Sequence, residues 1–313
     1  MTSLKGILLF GAGGQVGQAI IRLCVSSDPD PVLPGVKIIP FSHAVCDISD
    51  VYAVHAAVQD TLNQTGWQGS DIVIVNAAAY TAVDKAEEEL DQAYRVNVVG
   101  TRVLAEVAAA HHIPFIHIST DYVFDGQKGA PYTEDDRAGP LSVYGRTKLE
   151  GENDALAAQP NSVIVRTSAV FGAEGQNFLK AMLTLAKSHA DLKVVEDQVV
   201  APTYADDLVY ALLQAARQVA EPAFQEWGVY HYGGENPVTW YTFAQHIFKT
   251  GLDSGLCHSI PLLIPITSAQ FGRPAARPAY SVLSSDRFKR VFGCAPSDWH
   301  TGVVKTIARL KQV

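Results

Sequence analysis

Short apolar runs alternate along this chain with longer stretches in which apolar positions recur every three or four residues. GILLF precedes VGQAIIRLCV, VKIIPF precedes VYAVHAAVQDTL, DIVIVNAAA precedes a long segment through VLAEVAAAHH, PFIHIST precedes YGRTKLEGENDALAAQ, and SVIVRTSAVFG closes the series. Continuous apolar runs predict strands buried on both faces, and the helical period between them predicts the helices that bury them. The fold class expected is therefore α/β, a Rossmann-type doubly wound parallel sheet. Such sheets bind ligands beyond the carboxyl ends of their strands, so the residues that follow each run are the ones to inspect.

After Gly172 the alternation becomes irregular. NFLKAMLTLAKSHA predicts a helix, LKVVEDQVVAP a hairpin or strand pair, ADDLVYALLQAARQVA a helix and GVYHYGG one more strand. From Pro237 onward Pro, Gly and short helical patterns dominate. The division expected is a dinucleotide-binding domain over residues 1–169 plus about 200–235, and a smaller C-terminal substrate domain over about 170–199 plus 236–313.

Composition narrows the function classes. The chain has 313 residues, 48% of them hydrophobic, and a formal charge of −8 that is spread out with no Lys/Arg run, which argues against a nucleic-acid or anionic-membrane surface. Cys24, Cys46, Cys257 and Cys294 have no CxxC spacing and read as structural thiols of a reducing compartment. The first apolar run is too short for a signal peptide, and no stretch approaches the length of a membrane span, so a cytoplasmic protein is expected. No HExxH and no GxSxG occur, which leaves a metal hydrolase or an esterase without support.

Two motifs carry chemistry. In LLFGAGGQVGQAI, Gly11 suits a tight turn, Gly14 a close backbone approach to a pyrophosphate, and Gly17 the packing of helix on strand. Placed at the first strand-to-helix junction, with Gln15 and Val16 opening the helix, this turn predicts a dinucleotide site, and the absence of GK[ST] disfavours a P-loop. The second strand ends IIPFSHA without the acid that selects NAD, so NADPH is preferred with NADH still open. His43 is open to a ribose phosphate or to an ordinary loop role, while Asp47 and Ile48 lie near the adenine end. Ala77, Ala78 and Ala79 let a flat cofactor lie close after the third strand.

The second motif is VYGRTK, which puts Tyr144 and Lys148 on one helical face. A phenol titrates near 10, and an ammonium about 4 Å away in a medium of effective dielectric near 20 favours the phenolate by roughly 4 kcal/mol before desolvation. Such a pair is a proton donor usable near neutral pH. Thr120, in ISTDYVFDG, offers a further hydroxyl at a strand end.

These residues resemble the extended short-chain dehydrogenase/reductase superfamily. GAGGQVG, VNAAAYTAVDKAEEE, NVVGT, STDYVFDG, PLSVYGRTKLEGE, RTSAVFG, EDQVVAPTYADDL and TWYTFA occur in the order of the dTDP-4-dehydrorhamnose reductase family. The resemblance implies reduction of the C4 ketone of dTDP-4-dehydro-L-rhamnose by NADPH or NADH, in the synthesis of cell-surface polysaccharide precursors. It implies that Tyr144 protonates the keto oxygen, that Lys148 holds the nicotinamide ribose and depresses the tyrosine, and that Thr120 bonds the same oxygen. Asn97 is similar to an asparagine that supports the lysine, or is a packing amide. For the substrate, the resemblance points to Asp121, to Trp240 beside Tyr241, and to Arg277 with Arg273 as an alternative diphosphate partner. Aromatics in a TWY run are also ordinary core residues.

Two departures bear on the expectation. The family commonly has Trp where RTSAVF carries Ala169, which opens the sugar pocket and keeps another nucleotide-linked 4-ketosugar as an alternative substrate. Some members bind Mg2+ through glutamates at a dimer contact, one of them at the position of Ala19; Asp206 partly resembles a second such site but reads as solvated surface. No metal is expected to be required. The partners expected are a dTDP-linked deoxyhexose, no nucleic acid and no membrane, with the chain a monomer or homodimer. A cofactor-binding regulatory subunit of the same fold is the other alternative, which the complete set Thr120, Tyr144 and Lys148 disfavours.

Overall fold

The computed structural model describes residues 4–25 and 33–312. Its first half alternates strand and helix: β1 (Gly6–Phe10), α1 (Gln15–Val25), β2 (Lys37–Phe41), α2 (Val51–Thr65) and β3 (Ile72–Asn76). The short helices α3 (Val83–Ala86) and α4 (Leu90–Tyr94) lead through a π-helical turn, Arg95–Gly100, into α5 (Thr101–Ala110). Then come β4 (Phe115–Thr120), α6 (Val143–Ala158), β5 (Ser162–Thr167) and β6 (Val170–Phe171).

The second half contains α7 (Phe178–Leu185), β7 (Asp191–Val195), β8 (Val199–Val200), β9 (Thr203–Tyr204), α8 (Ala205–Val219) and β10 (Gly228–His231). It ends with β11 (Val238–Thr239), α9 (Trp240–Asp253), β12 (Leu262–Ile266), α10 (Ser268–Phe271), α11 (Asp286–Phe292) and α12 (Trp299–Leu310).

The central sheet is parallel throughout, in the order β2-β1-β3-β4-β5-β10. Every position of β1, β3 and β5 is buried, as continuous apolar runs require. Successive side chains serve opposite faces. Ile7, Leu9, Val73, Val75, Val163 and Val165 join a core with α1 and α8, while Leu8, Phe10, Ile72, Ile74 and Ile164 join one with α2 and α5. Strand order reverses between β1 and β3, so their carboxyl ends diverge into a crevice.

A third core defines the smaller lobe. Phe171, Leu179, Met182 and Leu192 pack with Phe243, Ile247, Phe248 and Trp299. Beyond residue 236, α11 places Phe288 and Phe292 in the core of the main sheet beside α8 and Tyr230. The expected pairing within LKVVEDQVVAP is corrected. β7 runs parallel to β12 and β8 antiparallel to β11, so two strands adjacent in sequence pair with different distant partners. Their apolar positions specify a buried face but not whose edge they join.

The turn after β1 shows what each glycine does. Gly11 has φ +84°, and a Cβ there would lie 2.3 Å from the Ala78 nitrogen. A Cβ on Gly17 would lie 2.3 Å from the Gly11 oxygen, whereas one on exposed Gly14 would meet only that oxygen, at 3.4 Å. Gly11 and Gly17 are thus required by the fold itself, and Gly14 by nothing in the protein. Gly11→Ala should cost about 2 kcal/mol from strain and clash, a fall in melting temperature of roughly 3 °C. Gly14→Ala should melt like the parent in the same thermal scan.

Candidate active site

Helix α6 is positioned by its cap and its neighbours. Ser142 accepts the Gly145 N–H at 3.1 Å and starts the helix at Val143. Gly145 then lets the first turn press on the backbone after β4, since a Cβ there would lie 2.2 Å from the Tyr122 oxygen. Tyr144, Lys148 and Glu152, spaced four apart, all face inward and are buried.

Each of the three meets the ends of β4 and β5. Lys148 Nζ donates to the Ile118 carbonyl at 2.8 Å and lies 2.9 Å from His117 Nε2. Glu152 accepts from Ser119 and takes a bidentate grip from Arg166, with Nη2–Oε2 at 2.6 Å and Nε–Oε1 at 3.0 Å. The Tyr122 ring meets Tyr144 edge-on, with centroids 5.6 Å apart. Thr120 donates to Asp121 Oδ1 at 3.1 Å, and Ser168 donates to Asp121 Oδ2 at 2.8 Å. The structure thus gathers Thr120, Asp121, Tyr144 and Lys148 at the carboxyl edge of the sheet.

The electrostatics depart from the simple expectation. Burial raises the Tyr144 phenol far above its ordinary value; Thr120 offsets part of this, and the charge of Asp121 adds to it. Burial lowers Lys148 from 10.5 to about 8, against the pull of Glu152. The expected depression of Tyr144 by Lys148 is absent from this arrangement because the lysine nitrogen is engaged by β4. Asp121, buried between Thr120 and Ser168, has its carboxyl raised by desolvation.

The cofactor candidates cluster at the crevice. Gly11, Gly14, Gln15, Val16 and Gly17 form the β1–α1 turn, tied to the end of β2 by Gly11 and Ala12 N–H bonds of 3.0 and 3.1 Å to the Phe41 carbonyl. Gln15 Nε2 is buried without a hydrogen-bond partner. A dinucleotide fits these features: the uncrowded backbone at Gly14, the N-terminal amides of α1 and the orphaned amide of Gln15 are donors for a pyrophosphate. Ala77, Ala78 and Ala79 stand half-buried across from them, and no acid follows β2, where Ser42 and exposed His43 lie.

Asp47 is taken up by Ser49 (Oγ at 2.7 Å) and Arg95 (3.1 Å), and Ile48 is buried against the Gly100 backbone. Asn97 holds the loop after β3, accepting from Tyr80 N at 2.9 Å and donating to Thr147 Oγ1 at 3.1 Å, so its amide fastens that loop to α6 rather than touching Lys148.

Of the substrate candidates, Asp121, Trp240, Arg273 and Arg277 line a two-chambered cleft, and Thr120 does not. A cavity of about 620 Å³ is walled by Phe178 and Trp240 and carries the cations Lys193, Arg273 and Arg277. A smaller one of about 130 Å³ lies between Asp121, Ser168, Ala169 and Trp240. Tyr122, Gln198 and Trp240 line both. Ala169 sits at φ +47°, and the wall opposite it includes Trp240, whose indole packs on Phe178 with centroids 4.6 Å apart. Trp240 and Tyr241 both pack against the smaller lobe's core.

Arg277 reaches Asp84 of α3 through two bonds of 2.9 Å, and Arg273 joins the same carboxylate at 3.2 Å. Burial disfavours the charge on Asp84, but the two arginines outweigh it and hold the carboxyl below its usual range. Asp206 is no bare surface acid: Arg22, Arg309 (3.2 Å) and the Tyr204 hydroxyl (2.8 Å) all bond it. Among the described residues, no group of three or more His, Cys, Asp or Glu is arranged to hold a metal ion, and no helix is long and apolar enough to cross a membrane.

The comparisons with known proteins agree with this geometry. Residues 5–312 match the family model described as the RmlD substrate binding domain. Over 293 residues the chain is 42% identical to the dTDP-4-dehydrorhamnose reductase of Aggregatibacter actinomycetemcomitans, spanning 94% of this chain and 95% of that one. The chain belongs to the dTDP-4-dehydrorhamnose reductase family. The crystal structure of a family member from Clostridium acetobutylicum superposes with a TM-score of 0.84 at 37% identity, covering 98% of this chain and 99% of that one. A Bacillus anthracis reductase in complex with NADP superposes with a TM-score of 0.85 at 29% identity and the same coverage.

Sequence reasoning missed Asn76, His117, Glu152 and Gln198. The first two could have been flagged, since each is polar within an otherwise apolar strand, IVIVN and FIHIST. Glu152 belongs to the buried pair that anchors α6. Glu152→Gln would leave Arg166 buried without its counter-charge and should destabilise the protein by about 3 kcal/mol in chemical denaturation.

Proposed function

We propose that this chain catalyses NADPH-dependent reduction of the C4 ketone of dTDP-4-dehydro-L-rhamnose to dTDP-L-rhamnose, with NADH as an alternative donor. The observation that carries the reading is the convergence of Thr120, Tyr144 and Lys148 beside a cleft whose small chamber suits a sugar and whose large chamber bears three cations. Membership in a family of named reductases, and the NADP held by the Bacillus anthracis relative, support it.

When bound, the nicotinamide supplies the hydride. Gly14 and the α1 amides bind its pyrophosphate, with Gln15 adding a donor, and Ala77 to Ala79 leave room for the flat rings. Asp47 and Ile48 flank the adenine end. The phenol of Tyr144 moves its proton to the ketone oxygen, where negative charge grows, and Thr120 donates to the same atom. Donors aimed at developing charge stabilise the transition state more than the ground state. Protonated Lys148 favours the phenolate left behind and holds a ribose hydroxyl. Arg277, pre-aligned by Asp84, binds the dTDP diphosphate with Arg273 beside it, and Trp240 packs on the sugar.

The small residue at Ala169 favours a second reading, a reductase of a different nucleotide-linked 4-ketosugar. NADPH consumption with dTDP-4-dehydro-L-rhamnose, set beside other dTDP-4-ketosugars and with product identified by NMR, separates the two. The account predicts rapid stoichiometric consumption and a rhamnosyl product. Turnover confined to another ketosugar would transfer the assignment to it, and NADPH binding without any turnover would favour a regulatory subunit. Because Lys148 must carry its proton, and burial places its loss at about 8 instead of 10.5, kcat/KM should fall as pH rises through about 8. A profile flat well beyond that point would contradict the role given to the lysine.

A further inference from the structure

Lys148 is buried on a histidine, and the hydrogen-bond directions around that histidine can be worked out. Asn76 and His117 are register partners on β3 and β4, and both side chains are fully buried. The Ala78 N–H donates to Asn76 Oδ1 at 2.9 Å, which fixes the amide so that Nδ2 faces His117 Nδ1, at 3.0 Å. Nδ2 can only donate, so Nδ1 accepts. A neutral imidazole then carries its proton on Nε2, the atom 2.9 Å from Lys148 Nζ. An ammonium has donors alone and would face another N–H; an amine has a lone pair to accept it. The second contact of Nζ, to the Ile118 carbonyl, needs one donor and suits either form.

We infer that Asn76 and His117 are positioning residues for Lys148: the pair locks His117 as the Nε2–H tautomer, which docks the lysine only as a neutral amine and turns the ammonium away from β4 toward Tyr144. The inference rests on the acid pair assigned under the proposed function. It also accounts for the lysine lying on β4 in this arrangement. Burial keeps His117 uncharged.

Among the described residues, the other titratable groups turned inward at this site and the charges on the elements packed around it make no hydrogen bond to Lys148 Nζ. On α6 they are Tyr144 and Glu152, the latter taken up by Arg166 of β5 and Ser119 of β4. After β4 comes Asp121, bonded to Thr120 and Ser168. Glu87, beyond α3, is bonded to the Val143 N–H, Arg95 of the π-helical turn pairs with Asp47, and Arg102 of α5 pairs with Asp154 at the exposed side of α6.

Two measurements on the full chain test this. The first is long-range proton–nitrogen NMR of histidine-labelled protein, with the His117 signals identified by their loss in His117→Gln. The expected result is a neutral ring protonated at Nε2 from roughly pH 6 to pH 9, the range spanning an ordinary histidine and the lowered lysine. A proton on Nδ1, or an imidazolium, would overturn the inference whether or not the protein proves to be a reductase.

The second is the pH profile of kcat/KM. His117→Phe removes the donor that favours the amine, so the basic limb should move up by about one pH unit, the worth of one hydrogen bond. His117→Gln offers a carbonyl to Asn76 and an NH2 to Lys148 and should restore the limb. A folded His117→Phe protein with an unmoved limb would overturn the positioning role. Absence of turnover in the parent would instead defeat the reductase reading, leaving the tautomer to be decided by NMR.

Discussion

Burying a lysine and a glutamate on one helical face is costly unless each finds partners, and the placement of α6 follows from that requirement. Glu152 is met by Arg166 and Ser119, and Lys148 by the Ile118 carbonyl and His117, so the helix can lie at only one height along β4 and β5. One turn earlier, the same face delivers Tyr144 to the carboxyl edge of the sheet beside Thr120 and Asp121. The position of Tyr144 is thus set by ion pairing deeper in the fold.

The smaller lobe is fastened to this frame at points that also shape the cleft. Arg277 and Arg273 both reach back to Asp84 of α3, which aligns two guanidinium groups on the wall of the larger chamber. Arg22 and Asp206, from α1 and α8, form an ion cluster with Glu174 and with Arg309 of α12, joining the main sheet's helices to the lobe at a distance from the chemistry. Trp240, at the start of α9, then faces both chambers.

Much of this is legible in the sequence. Continuous apolar runs predict the buried parallel strands, because burial on both faces leaves no polar positions to alternate. The glycine turn and the Tyr144–Lys148 spacing are equally readable, since local geometry fixes what they can do. What escapes the sequence is pairing between distant residues. β7 finds β12, Asp84 finds Arg277, and Asn97 spends its amide on Tyr80 and Thr147. The depression of Tyr144 expected from spacing alone fails for the same reason: a lysine on the right face still chooses among partners, and β4 offers two.

The central claim is that Tyr144 delivers the proton to the ketone. Single-turnover reduction of dTDP-4-dehydro-L-rhamnose by a Tyr144→Phe protein, alongside its NADPH affinity, tests it most directly. The account predicts a loss of roughly 10²- to 10⁴-fold in the reductive step, the usual worth of a positioned acid, with NADPH binding little changed. A near-normal step at unchanged affinity would show that another group supplies the proton.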